Sequence, residues 1–207
     1  MVNLALLSVF VPTFFFVSIT PGMCMTLAMT LGITIGVKRT LWMMWGEMLG
    51  VALVALLAVL GVAAVLLTYP QLFVAFKWGG GAYLLFIGIQ MWRSRGSMAI
   101  PETTADERVT SRSQLFVQGF VTAVANPKGW AFHIALLPPF IDASLPLFPQ
   151  LAFLLTIIVL LELVCMLAYA SGGKAMRYFL AQASNVRVMN RIAGSLMIGV
   201  GVWLAVL

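Results

Sequence analysis

Long runs of apolar residues, separated by short polar segments, extend along the whole 207-residue chain. A membrane-spanning helix needs roughly 20 apolar residues. The runs therefore predict an all-α integral membrane protein with six transmembrane helices in a single domain over residues 1–207. The predicted spans lie near residues 4–30, 42–68, 72–92, 114–140, 150–171 and 192–207. A five-span arrangement with a re-entrant segment is the alternative.

Two prolines stand inside these apolar runs, Pro21 in Thr20-Pro21-Gly22 and Pro127 in Asn126-Pro127-Lys128-Gly129. A proline within a helix removes one backbone hydrogen bond, and in hydrocarbon the freed carbonyl has no water to bind. The first run is also too long for one straight span, since the stretch from Leu4 to Val37 would measure about 51 Å against a hydrocarbon core of about 30 Å. We therefore predict that the first and fourth helices are broken at these prolines and that the breaks face a protected cavity.

Composition indicates a membrane protein independently of the pattern. Hydrophobic residues make up 62% of the sequence and charged residues 9%, whereas about a quarter of the residues in soluble domains are charged. The first 37 positions carry no charged side chain, so the basic region of a cleaved signal peptide is missing and we expect this segment to remain as a span. Cys24 and Cys165 lack the spacing of a metal or redox motif, and we interpret both as reduced packing residues.

The basic side chains occur almost entirely in alternate connections between the predicted spans. The positive-inside rule places such connections in the cytoplasm, so both termini are predicted to be periplasmic. On the opposite side of the membrane, Lys77 is the only basic residue that we assign to the connections. The formal net charge of +6 is then explained by the basic residues of the cytoplasmic connections. Such a distribution favours contact with anionic membrane lipids over nucleic-acid binding. The basic residues of the cytoplasmic connections are Lys38, Arg39, Arg93, Arg95, Arg108, Arg112, Lys174, Arg177, Arg187 and Arg191.

The predicted spans divide into two halves, about residues 1–92 and 114–207, joined by a cytoplasmic linker over 93–113. In each half the first span is interrupted by proline, the second carries one carboxylate and the third contains a Gly-x6-Gly pair. Three spans per half make the repeat inverted, an arrangement in which secondary transporters bind substrate between discontinuous helices near the midplane. Chance similarity between glycine-rich apolar segments is the alternative. The matching residues are Glu47 and Glu162, Gly81 and Gly88, and Gly194 and Gly201.

Several short motifs, in this order and spacing, resemble the LysE/RhtB family of amino-acid exporters over nearly the whole chain. They are Thr20-Pro21-Gly22, the glycines Gly32, Gly36, Gly46 and Gly50, Gly81-Ala82-Tyr83-Leu84, Asn126-Pro127-Lys128, Leu137-Pro138 and Phe140. The resemblance implies export of amino acids or related metabolites across a bacterial inner membrane, driven by the proton gradient. Two positions depart from the usual family pattern, since Met23 replaces a second proline after Pro-Gly and Pro139 replaces a glutamine.

Lys128 is the strongest candidate for binding substrate. It lies about 15 residues into an apolar span, where a lysine costs roughly 2.5 to 3.5 kcal/mol on insertion scales, so it needs a partner or a ligand. Its ammonium and the backbone amides exposed at the helix breaks could bind a substrate carboxylate. The predicted substrate-binding residues are Thr20, Pro21, Gly22, Asn126, Pro127 and Lys128. The alternatives are an ion pair of Lys128 with Glu47 or Glu162, and a simple kink capped by the Asn126 amide.

Glu47 and Glu162 are the candidate proton carriers, because each lies in an otherwise apolar segment at membrane depth. Burial disfavours the charged form of a carboxylate, whereas a nearby lysine favours it. A carboxylate whose partner comes and goes can bind and release a proton, and competition with the substrate ammonium would then give antiport. Snorkelling of Glu47 toward the interface and a static hydrogen bond for Glu162 are the alternatives. His133 could relay protons, or could be a packed, hydrogen-bonded neutral imidazole.

These observations predict a secondary transporter that exports small zwitterionic amino acids or related metabolites by proton antiport, with a cation transporter or channel as the alternative. An intramembrane enzyme is disfavoured, since no Ser/His, paired-aspartate or His-x-x-x-His constellation lies at membrane depth. We expect neither a cofactor nor a metal site. The 13 methionines are scattered rather than clustered, so we interpret them as packing residues and not as soft-metal ligands. The pairs Gly32-x3-Gly36 and Gly46-x3-Gly50 favour helix packing within the monomer, with a homo-oligomer as the alternative.

Overall fold

The computed structural model describes residues 4–68, 72–95, 111–141 and 145–206. Nearly all of these residues are helical and none of them is in a strand, so the predicted all-α fold is confirmed for this part of the chain. The predicted linker lies largely outside the described residues, at 96–110. The helices are α1 (Leu4–Ile19), α2 (Met23–Thr34), α3 (Val37–Thr68), α4 (Leu72–Arg93), α5 (Arg112–Val124), α6 (Pro127–Leu136), α7 (Leu147–Ala181) and α8 (Ala183–Val206), and a 3₁₀ turn (Pro138–Phe140) follows α6.

Length and apolar composition mark two described helical segments as able to cross a membrane, Val37–Val62 and Leu147–Ala181. A third candidate is the pair Leu7–Ile19 and Met23–Thr34, if the two are one span bent by 57°. The described part of the chain therefore contains two or three helical segments of this kind, fewer than the six predicted spans.

The end of the predicted fifth span differs from the structure. The sequence predicts a span that ends at 171 and then a connecting loop, but α7 continues to Ala181 and α8 begins at Ala183. Lys174 and Arg177 therefore lie on helix α7 rather than in a loop. Within α7 the backbone of Gly173 is not helical (φ 43°, ψ −119°), so the helix bends there. The apolar pattern marks where hydrophobic residues stop, and the bend allows a more polar helix to continue beyond that point.

Glycines let several helices approach backbone to backbone. A Cβ atom on Gly46 of α3 would collide with the carbonyl oxygen of Phe116 on α5, and one on Gly119 of α5 would collide with that of Met43. In α4 and α8, a Cβ on Gly88 would lie 2.7 Å from the carbonyl oxygen of Gly194. Small residues at such crossings are typical of membrane helix packing, and these crossings all occur within one chain.

The helices that carry the candidate residues converge on one region. Helix α3 packs against α6 and α7, and α1 also packs against α7. Two apolar clusters of buried side chains flank this region. One contains Phe10, Phe14 and Phe132, and the other contains Met29, Met44 and Tyr169. Glu47 on α3 and Glu162 on α7 are thereby brought toward the two helix breaks.

Candidate functional site

The first helix break, between α1 and α2, leaves backbone carbonyls that other side chains bind. In a continuous helix the carbonyl of Val17 would accept from the N–H of residue 21, but Pro21 has none. The ammonium of Lys128 donates to this oxygen instead, at 3.2 Å. The Tyr169 hydroxyl donates to the carbonyl of Ile19 at 2.8 Å. The break is thus stabilised by side chains from α6 and α7.

The second break, between α5 and α6, is stabilised in a similar way. The side-chain oxygen of Asn126 accepts from the backbone N–H of Lys128 at 3.1 Å and so caps the start of α6, where Pro127 occupies the first turn. In a continuous helix that N–H would donate to the carbonyl of Val124. The Trp130 indole N–H donates to the Val124 carbonyl at 2.8 Å. Side chains therefore pair backbone carbonyls at both breaks without water, whereas the start of α2 has no side-chain cap.

A cavity of about 60 Å³ lies between the two breaks. We call it the acidic cavity because Glu47 and Glu162 both line it, together with Lys128. It has room for only a few water molecules. The structure brings most of the sequence-predicted residues to its wall, namely Thr20, Gly22, Asn126, Lys128, Glu47, Glu162 and His133.

The two carboxylates of the acidic cavity have different surroundings. The hydroxyl of Ser18 donates to Glu162 Oε1 at 3.0 Å, which gives that carboxylate the hydrogen bond expected by the static alternative. Glu47 is 1% exposed, and neither of its oxygens has a hydrogen-bond partner among the described residues. Glu47 is therefore buried inside the helix assembly, and snorkelling to the interface does not describe its position. Lys128 lines the same cavity as both carboxylates.

His133 and Cys24 complete the polar part of the cavity wall. The His133 Nδ1 lies 2.6 Å from the carbonyl oxygen of Gly129, so this nitrogen donates. Its Nε2 is buried with no partner in the described part of the chain. The imidazole packs against the ring of Phe14, with centroids 5.8 Å apart, as the packed alternative predicts. The Asn126 amide donates to the thiol of Cys24 at 3.6 Å.

A larger cavity of about 480 Å³ adjoins the acidic cavity, and we call it the groove. Thr20 and Lys128 line both spaces, so the two meet at the helix breaks. Pro21 and Pro127, which do not line the acidic cavity, line the groove. The groove extends between α4 and α8 to Ser94 and Asn190. All the predicted substrate-binding residues therefore border one or both spaces.

Several residues of this site are not identified by sequence reasoning. Ser18 lies in an apolar run with no motif around it, and Cys24 has the sequence signature of a packing residue. Tyr169 does carry a usable signal, because a buried tyrosine hydroxyl normally needs a hydrogen-bond partner. Among the described residues, no group of three or more His, Cys, Asp or Glu side chains is placed to hold a metal ion.

The chain is similar to known proteins over most of its length. Residues 15–207 match a family described as LysE type translocator. A homoserine/homoserine lactone efflux protein of Salmonella typhimurium is 29% identical over 91% of this chain and 90% of its own length. A leucine efflux protein of Salmonella choleraesuis is 26% identical over 93% and 91%. An uncharacterized membrane protein of Pseudomonas aeruginosa is 32% identical over 77% and 76%. No solved structure matches the chain.

Proposed function

The chain belongs to the LysE type translocator family, as the sequence motifs indicate, and from this premise we propose that it exports amino acids or related small metabolites by proton antiport across a bacterial inner membrane. The similar homoserine/homoserine lactone and leucine efflux proteins support the direction of transport and the substrate class. The single observation that carries the proposal is the convergence of one ammonium and two carboxylates on the acidic cavity between two helix breaks.

The proposed architecture is a six-span inverted repeat. Gly81 faces Gly201, and Gly88 faces Gly194, across α4 and α8. If α4 and α8 are equivalent, Gly81 corresponds to Gly194 and Gly88 corresponds to Gly201. A two-fold axis between the two helices then converts one of these contacts into the other. The broken helices α1–α2 pack against α7, and the broken helices α5–α6 pack against α3. The first span of each half thus contacts the second span of the other half, which is consistent with an inverted repeat whose two halves meet at the broken helices.

Lys128 is the proposed binding group for the substrate carboxylate. A lysine ammonium has three donors, and the bond to Val17 uses one of them. Within the described residues no other acceptor is hydrogen-bonded to this ammonium. The ammonium also lies near the uncapped start of α2, since a Cβ on Gly22 would be 3.9 Å from Lys128 Nζ. Unpaired amides at a helix N-terminus favour an anion at this position.

Glu47 and Glu162 are the proposed proton sites, with His133 as a relay. A substrate with its carboxylate at Lys128 has its α-ammonium only one carbon away, so that ammonium can point into the acidic cavity. The substrate ammonium and a proton then compete for the same carboxylates. Because a carboxylate binds one cation or the other, substrate leaves in one direction as a proton enters in the other. The unpaired oxygens of Glu47 make it the first candidate.

Counterflow in proteoliposomes tests this function. Purified protein is reconstituted, loaded with an unlabelled amino acid and supplied with the labelled compound outside, for each amino acid and for homoserine lactone. We expect exchange of at least one of these compounds, and net movement against its concentration gradient when a pH gradient is imposed. Protein-free liposomes are the control. Failure of every compound to exchange would refute the proposal, whereas exchange without a response to the pH gradient would refute proton antiport alone.

A further inference from the structure

The groove contains very little charge for a cavity that borders Lys128. Within the described residues, Lys128 is the only charged side chain in its lining. Its other polar groups are neutral, namely the hydroxyls of Thr20 and Tyr83 and the side chains of Gln90, Ser94 and Asn190. The Asn190 amide donates to the Ser94 hydroxyl at 3.0 Å. Tyr83 and Met197 provide apolar walls. The groove therefore offers apolar and neutral hydrogen-bonding surface, with a single cation at one end.

The two spaces differ in what they can hold. The groove, at about 480 Å³, is within the roughly 300 to 1,000 Å³ range of small-molecule sites. The acidic cavity, at about 60 Å³, is too small for a whole amino acid, but an ammonium group fits there as a water molecule would. An amino acid at their junction would place its carboxylate at Lys128, its ammonium in the acidic cavity and its side chain in the groove.

We infer that the groove holds the substrate side chain and selects compounds in which this side chain is uncharged, an inference that rests on the proposed function. A basic side chain would lie there without a counter-charge, because both carboxylates line the acidic cavity instead. An acidic side chain would compete with the substrate carboxylate for the one ammonium. Burying an unpaired charge is far less favourable than burying an apolar or hydroxylated side chain.

The wild-type protein provides the first test. Proteoliposomes loaded with unlabelled leucine are supplied with labelled leucine, lysine or glutamate at equal concentration. We expect leucine to exchange at least about tenfold faster than lysine or glutamate, because the charged side chain of lysine or glutamate would have no partner of its own in the groove. Lysine or glutamate exchange at a rate equal to or above that of leucine would overturn the inference and leave the exporter function standing. Exchange of none of the three would overturn the inference, while the exporter function is decided by the counterflow assay with all the amino acids and homoserine lactone.

Two variants test the charge argument directly. Gln90→Glu and Asn190→Asp each add a carboxylate to the groove. In wild type the Asn190 amide donates to Ser94, whereas an aspartate at 190 can accept from the Ser94 hydroxyl instead. Each should raise the lysine-to-leucine exchange ratio at least about fivefold over wild type, by providing the counter-charge that lysine lacks. Gln182→Glu is the matched control, because Gln182 is exposed between α7 and α8 and lines neither space.

Thermal unfolding in detergent identifies which variants fold, and the exchange ratios are compared for those variants. If either groove variant folds and its ratio is unchanged from wild type, or if Gln182→Glu raises the ratio equally, the groove does not select by charge. If neither groove variant folds, the wild-type comparison of leucine, lysine and glutamate decides the inference.

Discussion

Lys128 Nζ donates to the main-chain oxygen of Val17 at 3.2 Å, and this oxygen is the acceptor left without a backbone donor because residue 21 is proline. Lys128, on α6 of the second broken helix, therefore supplies the hydrogen-bond donor that the first broken helix lacks. The adjacent residue, Ser18, donates its hydroxyl to Glu162. One turn of α1 thus contacts both the proposed substrate-binding cation and one of the proposed proton acceptors.

Removal of the Lys128 charge should abolish recognition of the substrate carboxylate. In Lys128→Met we expect binding of a transported amino acid to weaken by about 1.5 to 3 kcal/mol, or on the order of 10 to 150-fold, since a charged hydrogen bond is lost. Lys128→Arg should be only partly tolerated, because a planar guanidinium does not replace a compact ammonium.

The comparison of an amino acid with its carboxamide makes this prediction specific. Binding of both compounds is measured by calorimetry in detergent, to wild type and to Lys128→Met. The carboxamide should bind wild type poorly, and the variant should no longer distinguish the two. A folded variant that still prefers the carboxylate would place the anion site elsewhere, most plausibly at the amides around Pro21 and Gly22.

The two carboxylates should affect proton coupling more than substrate exchange. Glu47→Gln and Glu162→Gln keep the side-chain shape and remove the titrating group, and the glutamine oxygen at 162 can still accept from Ser18. At least one variant should retain counterflow but lose accumulation driven by a pH gradient. Both assays are run on the same proteoliposomes, so the exchange rate is the internal control. Normal accumulation in both variants would make these carboxylates structural.

Tyr169 should stabilise the first helix break through its hydroxyl. Its side chain is completely buried, and Tyr169→Phe would leave the carbonyl of Ile19 without that donor. An unsatisfied buried polar group costs about 1 to 3 kcal/mol, so the apparent melting temperature in detergent should fall. Tyr178→Phe is the matched control, because Tyr178 is 73% exposed and the same exchange there should be nearly neutral. Equal melting temperatures for the two variants would contradict this role.

Substitution of two glycines on α3 should have opposite effects. A Cβ at Gly46 would collide with the Phe116 carbonyl, whereas a Cβ at Gly61 meets nothing within 4 Å. Gly46→Ala should destabilise the protein by about 1 to 3 kcal/mol or more, because two backbones must move apart. Gly61→Ala should be neutral or stabilising by up to about 1 kcal/mol, since alanine favours helix. Thermal unfolding of both variants is the measurement, and a stable Gly46→Ala would mean that α3 and α5 are not closely packed.

The distribution of basic residues predicts membrane orientation. A reporter fused after Leu207 should be periplasmic, and one inserted near Thr104 should be cytoplasmic, because the basic residues cluster between alternate pairs of the spans predicted from sequence. Paired alkaline phosphatase and green fluorescent protein fusions at each position report opposite compartments and serve as controls for each other. A cytoplasmic C-terminus would overturn the six-span topology.

The sequence alone predicts the helical fold and the chemical character of the site. Apolar runs of membrane-spanning length require helices, because backbone groups in hydrocarbon must be paired within the segment. In the structure Pro21 lies between α1 and α2, and Pro127 begins α6. Both prolines lack an N–H in any tertiary context. A lysine and two carboxylates within apolar segments also need partners whatever the fold is. These properties depend on each residue and its neighbours along the chain.

Only the tertiary structure decided which groups meet. Lys128 and Val17 are 111 residues apart, and Ser18 and Glu162 are 144 apart. Helices that are apolar on nearly every side have no polar stripe to mark which face turns inward. Their rotation and crossing are set by close contacts such as that between Gly46 and Phe116, which no periodicity in the sequence encodes. The division into an acidic cavity and a neutral groove therefore arises from helix packing, because packing alone determines which side of Lys128 each carboxylate occupies.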